Sequence, residues 1–298
     1  MLEAWQAIAI ASAAALLLSL WVRREYGSKA ALVMVALAAA ALACLWVAYE
    51  VIPVEQWRKE SLPVGLAIFA LPALAGTLIA VLQARSDGAR LHGTEALYLA
   101  LLWATPAVLL YVSQRKPFGS DLADLLWWAG SSLAIYALVP VLYARIAGQS
   151  IRSYGLSVRF VRSEAALIAL IAPVALVIVW LASADQRFLD TYPFYGGDGW
   201  SLVLFEAAYG ATVIALEFFF RGFLVFAGQP VLGVHAVPVM AFAYCLLHLG
   251  KPMPEAVSSL IGGLILGYLA LRLRSILAGV VAHLTIAWGM DAFVLSRS

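Results

Sequence analysis

The residues able to do chemistry in this chain are few and come late. Glu217 and Arg221 stand one helical turn apart in Leu216-Glu-Phe-Phe-Phe-Arg-Gly-Phe-Leu224, inside an apolar run. At positions i and i+4 they share one helix face and can pair. His248 closes the apolar run that begins near Val231, and His283 lies inside the last one. An ionisable side chain at membrane depth costs several kcal/mol unless it is paired, so such a set reads as a functional site or as a structural ion couple. A lone histidine in a helix is more often satisfied by a neighbour than catalytic. Four such residues between positions 217 and 283, in a chain this poor in charge, favour a site.

The elements that must position them are membrane helices. Of 298 residues, 64% are hydrophobic and 12% charged, and the mean hydropathy is +0.94. These values point to an all-α, polytopic transmembrane bundle. Continuous apolar runs, not period-two alternation, exclude an outer-membrane barrel. A net charge of +2 with no basic cluster outside the loops gives no reason to expect a nucleic-acid partner. Cys44 and Cys245 fall within apolar runs and read as small core residues.

Runs of about twenty apolar residues predict ten spans, near 3–22, 30–52, 63–83, 95–113, 121–144, 164–183, 200–226, 231–249, 254–272 and 275–295. The first is read as a retained span, because its basic residues follow the apolar run. The chain divides at about 163 into five N-terminal spans and a C-terminal part that holds the ionisable set. Arg23, Arg24 and Lys29, then Arg85 and Arg90, then Arg145, Arg152, Arg159 and Arg162, then Arg272 and Arg274 collect in alternate loops. The positive-inside rule makes those loops cytoplasmic and turns both termini outward. Arg58 and Lys59 in the second loop are offset by Glu55 and Glu60. The sixth loop, Phe188-Leu-Asp-Thr-Tyr-Pro-Phe-Tyr-Gly-Gly-Asp-Gly-Trp200, is rich in aromatics and glycine; it reads as an interfacial aromatic belt in preference to a lid. In the ninth span Ser258, Ser259, Gly262, Gly263 and Gly267 form a small-residue face that lets helices approach closely.

Three segments, Glu217-Phe-Phe-Phe-Arg-Gly, Tyr244-Cys-Leu-Leu-His248 and His283-Leu-Thr-Ile-Ala287, resemble in order and spacing the motifs of the CPBP family of intramembrane proteases. This family is also called the CAAX protease and bacteriocin-processing, or Abi, family, and includes prenyl-protein endopeptidases of the Rce1 type. The resemblance covers roughly 200–293. The first motif of that family has two adjacent glutamates, and Leu216 stands at the first of them. Tyr244 replaces a Phe, and Ala287 an Asn.

The resemblance implies an intramembrane endopeptidase of the bacterial inner membrane acting on a membrane-presented protein or C-terminal segment. Its catalytic set would be Glu217, His248 and His283, supported by Arg221, Tyr244 and Asp291. Glu217 would take a proton from a water held between it and His248. His283 would stabilise the oxyanion, a role commonly worth about 3 kcal/mol. Asp291, eight residues after His283, returns to nearly the same helix face, where it would orient the ring or sit at the interface. Glu206, three turns before Glu217, is the fallback carboxylate. No cofactor is expected, though Glu217, His248 and His283 are also a three-ligand set for zinc. The alternatives are a catalytically inactive scaffold or chaperone, which accounts for Leu216 and Ala287 directly, and a proton-coupled transporter. The lack of an internal repeat counts against the transporter.

Overall fold

The computed structural model describes residues 3–52, 61–156 and 162–297, the side chains of 162–164 excepted. Arg58, Lys59, Glu55, Glu60 and Arg159, used above for orientation, lie outside the described residues. The described chain is a bundle of α1 (Ala4–Tyr26), α2 (Ser28–Trp46), α3 (Leu62–Ile68), α4 (Ala70–Ser86), α5 (Gly93–Ser113), α6 (Asp121–Ile146), α7 (Arg162–Ala182), α8 (Gln186–Leu189), α9 (Gly199–Glu217), α10 (Gln229–Leu232), α11 (Ala236–Leu246), α12 (Met253–Leu273) and α13 (Leu277–Leu295). Among the described residues, nine helical segments are long and apolar enough to cross a membrane, and the bent pair α3 and α4 makes a tenth. This is an integral membrane protein with the polytopic helical architecture expected of its sequence.

The third span is broken by 49°. Pro72 has no N–H to give to Ile68, the residue four before it, so the ladder is interrupted and the helix turns at Phe69. Gly65 lies against the backbone of Ala107, where a Cβ would come within 3.2 Å of the carbonyl oxygen. The broken span therefore sits flush on α5.

Burial ranks the helices. Of Gln229–Leu246, which covers α10 and α11, 78% is buried, against 11% of Ala165–Ala182 in α7. α11 is the central post, and α7 faces lipid with Leu170, Val177 and Ile178 exposed. α2 and α12 flank α11, and α1 packs on α12. One apolar core runs from Ala7 to Ile276, so the N-terminal helices buttress the C-terminal ones directly.

Close packing of α12 on α11 comes from two glycines of the small-residue face. At Gly263 a Cβ would press on Ala241 and Tyr244, and at Gly267 on Met240 and Val237. Ser258 is exposed and Gly262 has no neighbour within 4 Å, so only the Gly263–Gly267 edge is used.

The sixth loop does not lie out as an aromatic belt. Phe188 and Tyr192 are buried; Phe194 packs on Trp128 and Tyr209, and Tyr195 on Phe205. The reason is polar as well as apolar. The Tyr192 hydroxyl reaches both carboxylate oxygens of Glu255 at 2.8 Å, and Lys251 Nζ donates to Tyr192 Oη at 3.0 Å and to Glu255 Oε1 at 2.7 Å. Only Trp200, 86% exposed, behaves as an interfacial residue.

Candidate active site

Glu217 ends α9, and the next seven residues, Phe218–Leu224, form a π-helical turn. Such turns are rare and concentrate at functional sites. Every residue of this one is buried, as is Glu217. Gly222 lets the turn pack closely on Tyr154, where a Cβ would be 2.8 Å from the carbonyl oxygen. Arg221 Nη1 is 2.9 Å from Glu217 Oε1, with the two side chains 1% and 0% exposed. The ion pair foreseen from the i, i+4 spacing is therefore formed in the core of the protein.

The same carboxylate oxygen meets α13. His283 Nδ1 lies 2.8 Å from Glu217 Oε1. With the carboxylate as acceptor, the imidazole donates its Nδ1–H. The second oxygen, Oε2, is buried and receives no hydrogen bond. It rests against Gly279, one turn before His283 on α13, where any Cβ would overlap it. Glycine at 279 is thus what lets α13 come close enough for the Glu217–His283 contact.

Tyr244 connects this pair to His248. The Arg221 guanidinium lies 3.9 Å from the centroid of the Tyr244 ring. His248 packs edge-on to that ring at 4.8 Å, and His283 at 6.2 Å. His248 itself stands in the turn beyond α11, where its Nδ1 is 3.1 Å from the Tyr244 carbonyl. A carbonyl only accepts, so Nδ1 carries the proton and Nε2 presents a lone pair. Burial holds the His248 imidazole well below its ordinary range, and the nearby Lys251 ammonium acts in the same direction. Nε2 of neither histidine has a hydrogen bond within the described residues.

Sequence reasoning missed the residue that fixes this turn. Tyr49, in the π-helical turn Val47–Val51 after α2, sends its hydroxyl to the carbonyls of His248 (3.2 Å) and Lys251 (2.7 Å). It also accepts from the amide of Gly250 at 3.2 Å. Nothing in the spacing of Tyr49 marks it, since its partners lie some two hundred positions away.

The family model described as type II CAAX prenyl endopeptidase Rce1-like matches residues 198–289. The chain carries an Rce1-like domain. No curated protein and no solved structure matches the chain. The matched segment runs from the start of α9 into α13 and contains Glu217, Arg221, Tyr244, His248 and His283.

Within the Rce1-like domain the departures from the motifs have apolar surroundings. Leu216 packs against the main core. Ala287, 4% exposed, belongs to a cluster with Phe205, Tyr209 and Val213. Asp291, just beyond the domain, makes no hydrogen bond to His283; both of its carboxyl oxygens are buried without a hydrogen-bond partner, as are those of Glu206 on α9. Two turns of helix separate Asp291 from His283, about 12 Å of rise, too far for a side chain to span. Among the described residues no three His, Cys, Asp or Glu side chains are grouped so as to hold a metal ion.

Proposed function

We propose that this protein is an intramembrane endopeptidase that hydrolyses a peptide bond in a membrane-presented protein or C-terminal segment, using His248 and His283 around a buried Glu217–Arg221 pair. The Rce1-like domain supports the reaction class. The observation that carries the reading is the 2.8 Å contact between His283 Nδ1 and Glu217 Oε1; among the described residues Nε2 of neither His283 nor His248 has a hydrogen bond.

The roles follow from the partners. Glu217 is 0% exposed, one oxygen is shared by Arg221 and His283, and the other abuts Gly279. Such a carboxylate is poorly placed to meet a water, so the base is assigned to His248. Its Nε2 takes a proton from the attacking water as the oxygen bonds to the scissile carbonyl carbon. His283, held through Nδ1 by Glu217, stabilises the oxyanion from its Nε2 edge. When the C–N bond breaks, the proton on His248 passes to the leaving nitrogen. A carboxylate that orients an imidazole through Nδ1 performs the positioning that an aspartate performs in serine hydrolases. Arg221 keeps Glu217 in place from below, and Tyr244 spaces the two rings.

The membrane is proposed to be a bacterial inner membrane with both termini outward, as the basic loops indicate. The test is cleavage of candidate membrane precursors by the purified chain in vesicles, in isotope-labelled water. Label in the new C-terminus, lost in His283→Gln, supports the reading; products unchanged by that substitution overturn it.

A second reading has an observation in its favour. Leu216 and Ala287 occupy apolar surroundings where the motifs have Glu and Asn, which suits a non-catalytic relative that binds membrane segments without cutting them. Binding of a precursor with no turnover in any variant would establish it.

A further inference from the structure

Away from the histidines, α9 and α13 meet a second time through carboxyl groups. Glu206 on α9 and Asp291 on α13 face the same helix contact, since Trp288, one turn before Asp291, reaches the Glu206 carbonyl, and the two carboxyl groups act on each other there. All four of their carboxyl oxygens are buried, and none has a donor. Asp291 is 2% exposed. The helices are held together there by Trp288, whose Nε1–H donates to the Glu206 carbonyl at 3.2 Å, and by Gly210, which admits the Trp288 ring.

Of the charged and titratable groups around the pair, Lys251, Glu255 and Tyr192 are already engaged with one another. Lys251 and Glu255 face it from the start of α12, Tyr192 from the loop before α9, and Tyr209 from α9 itself. Lys251 Nζ is bonded to Glu255 and Tyr192 and forms no ion pair with Asp291, on which it acts only through space, beside the opposing charge of Glu255. Two ionised carboxylates in contact, desolvated and without a cation, repel strongly, whereas one proton between them turns the contact into a hydrogen bond.

We propose that Glu206 and Asp291 form a proton-binding site, in which one shared proton clamps α9 to α13. Its consequence reaches the candidate active site, because α9 carries Glu217 about three turns further on and α13 carries His283 about two turns earlier. The clamp and the Glu217–His283 contact are two rungs between the same two helices. Loss of the proton leaves two negative charges in contact, so the stability from the clamp is present at low pH and is lost as pH rises. The effect on cleavage rests on the endopeptidase reading; the proton site does not.

The experiment is infrared difference spectroscopy of the purified protein across a pH titration, with thermal unfolding of the same samples. The wild type should show the carbonyl stretch of a protonated carboxyl that disappears as pH rises, and a melting temperature that falls with it. Glu206→Gln and Asp291→Asn each replace the shared proton with a permanent N–H donor. Both variants should lack the band and melt at a temperature independent of pH over the same range. A wild type without the band, a band retained in both variants, or equal pH slopes in wild type and variants would overturn the proposal. A protein that shows the band but cleaves nothing would leave the proton site standing and remove the protease.

Discussion

Glu217 Oε1 is engaged from two directions at once: Arg221 Nη1, four residues along its own chain, is ion-paired with it at 2.9 Å, and His283 Nδ1 on α13 is hydrogen-bonded to it at 2.8 Å. The first contact is local and the second joins helices 66 positions apart. A single buried oxygen thus ties the π-helical turn to the last span, and the behaviour of the site depends on it.

Removing one partner of this couple should cost far more than removing both. Arg221→Met leaves a buried carboxylate with only His283, and loss of one member of a buried pair costs about 3–5 kcal/mol. Glu217→Leu combined with Arg221→Met removes both charges and should recover most of that loss. Chemical denaturation of the three proteins in mixed micelles measures the difference.

The glycines of α12 and α13 should divide sharply. Gly279→Ala forces a methyl group onto Glu217 Oε2, and a shift of about 1 Å at a catalytic group costs about 10²-fold in rate. Gly262→Ala meets nothing within 4 Å and should stabilise its helix by about 0.5–1 kcal/mol without touching activity. Melting temperatures and initial rates of both variants decide this.

His248 sets the expected acid limb. Its folded form resists protonation because of burial and Lys251, while the unfolded chain takes up the proton near the ordinary value of about 6.5. The sign is therefore that stability is complete above that value and falls as pH drops below it, toward the lower folded value. His248→Gln should flatten this acid-side loss in a melting-temperature series.

Tyr192→Phe should loosen the loop before α9. The hydroxyl holds Glu255 and receives Lys251, and hydrogen bonds to charged groups contribute about 1.5–3 kcal/mol. Limited proteolysis should cut residues 183–198 faster in the variant, while the Lys251–Glu255 pair at 2.7 Å remains.

The helices were legible in the sequence because uninterrupted apolar runs leave no other way to satisfy backbone groups in lipid. The Glu217–Arg221 pair was legible because it is local. Other features were not, and each depends on distant partners. The π-helical turn at Phe218–Leu224 packs through Gly222 on Tyr154, and Tyr49 acts on a turn across the bundle. Asp291 shares a face with His283 by helical arithmetic, but the rise along the axis separates them. The sixth loop looked interfacial because its aromatic content is that of a membrane belt; the Tyr192–Glu255 bond that folds it inward has no local signature. His248 is linked to Glu217 only indirectly: Tyr244 lies between Arg221 and His248, and the partner of Glu217 is His283.

The most direct test of the account compares kcat for cleavage of one membrane precursor by wild type, His248→Gln, His283→Gln and Glu217→Gln, all reconstituted in the same vesicles. Either histidine substitution should lower kcat by about 10²–10⁴-fold. Glu217→Gln, which keeps an acceptor for His283 Nδ1 but removes the charge beside it, should lose less than His248→Gln. Full activity in His248→Gln together with abolition in Glu217→Gln would contradict the account and make Glu217 the base.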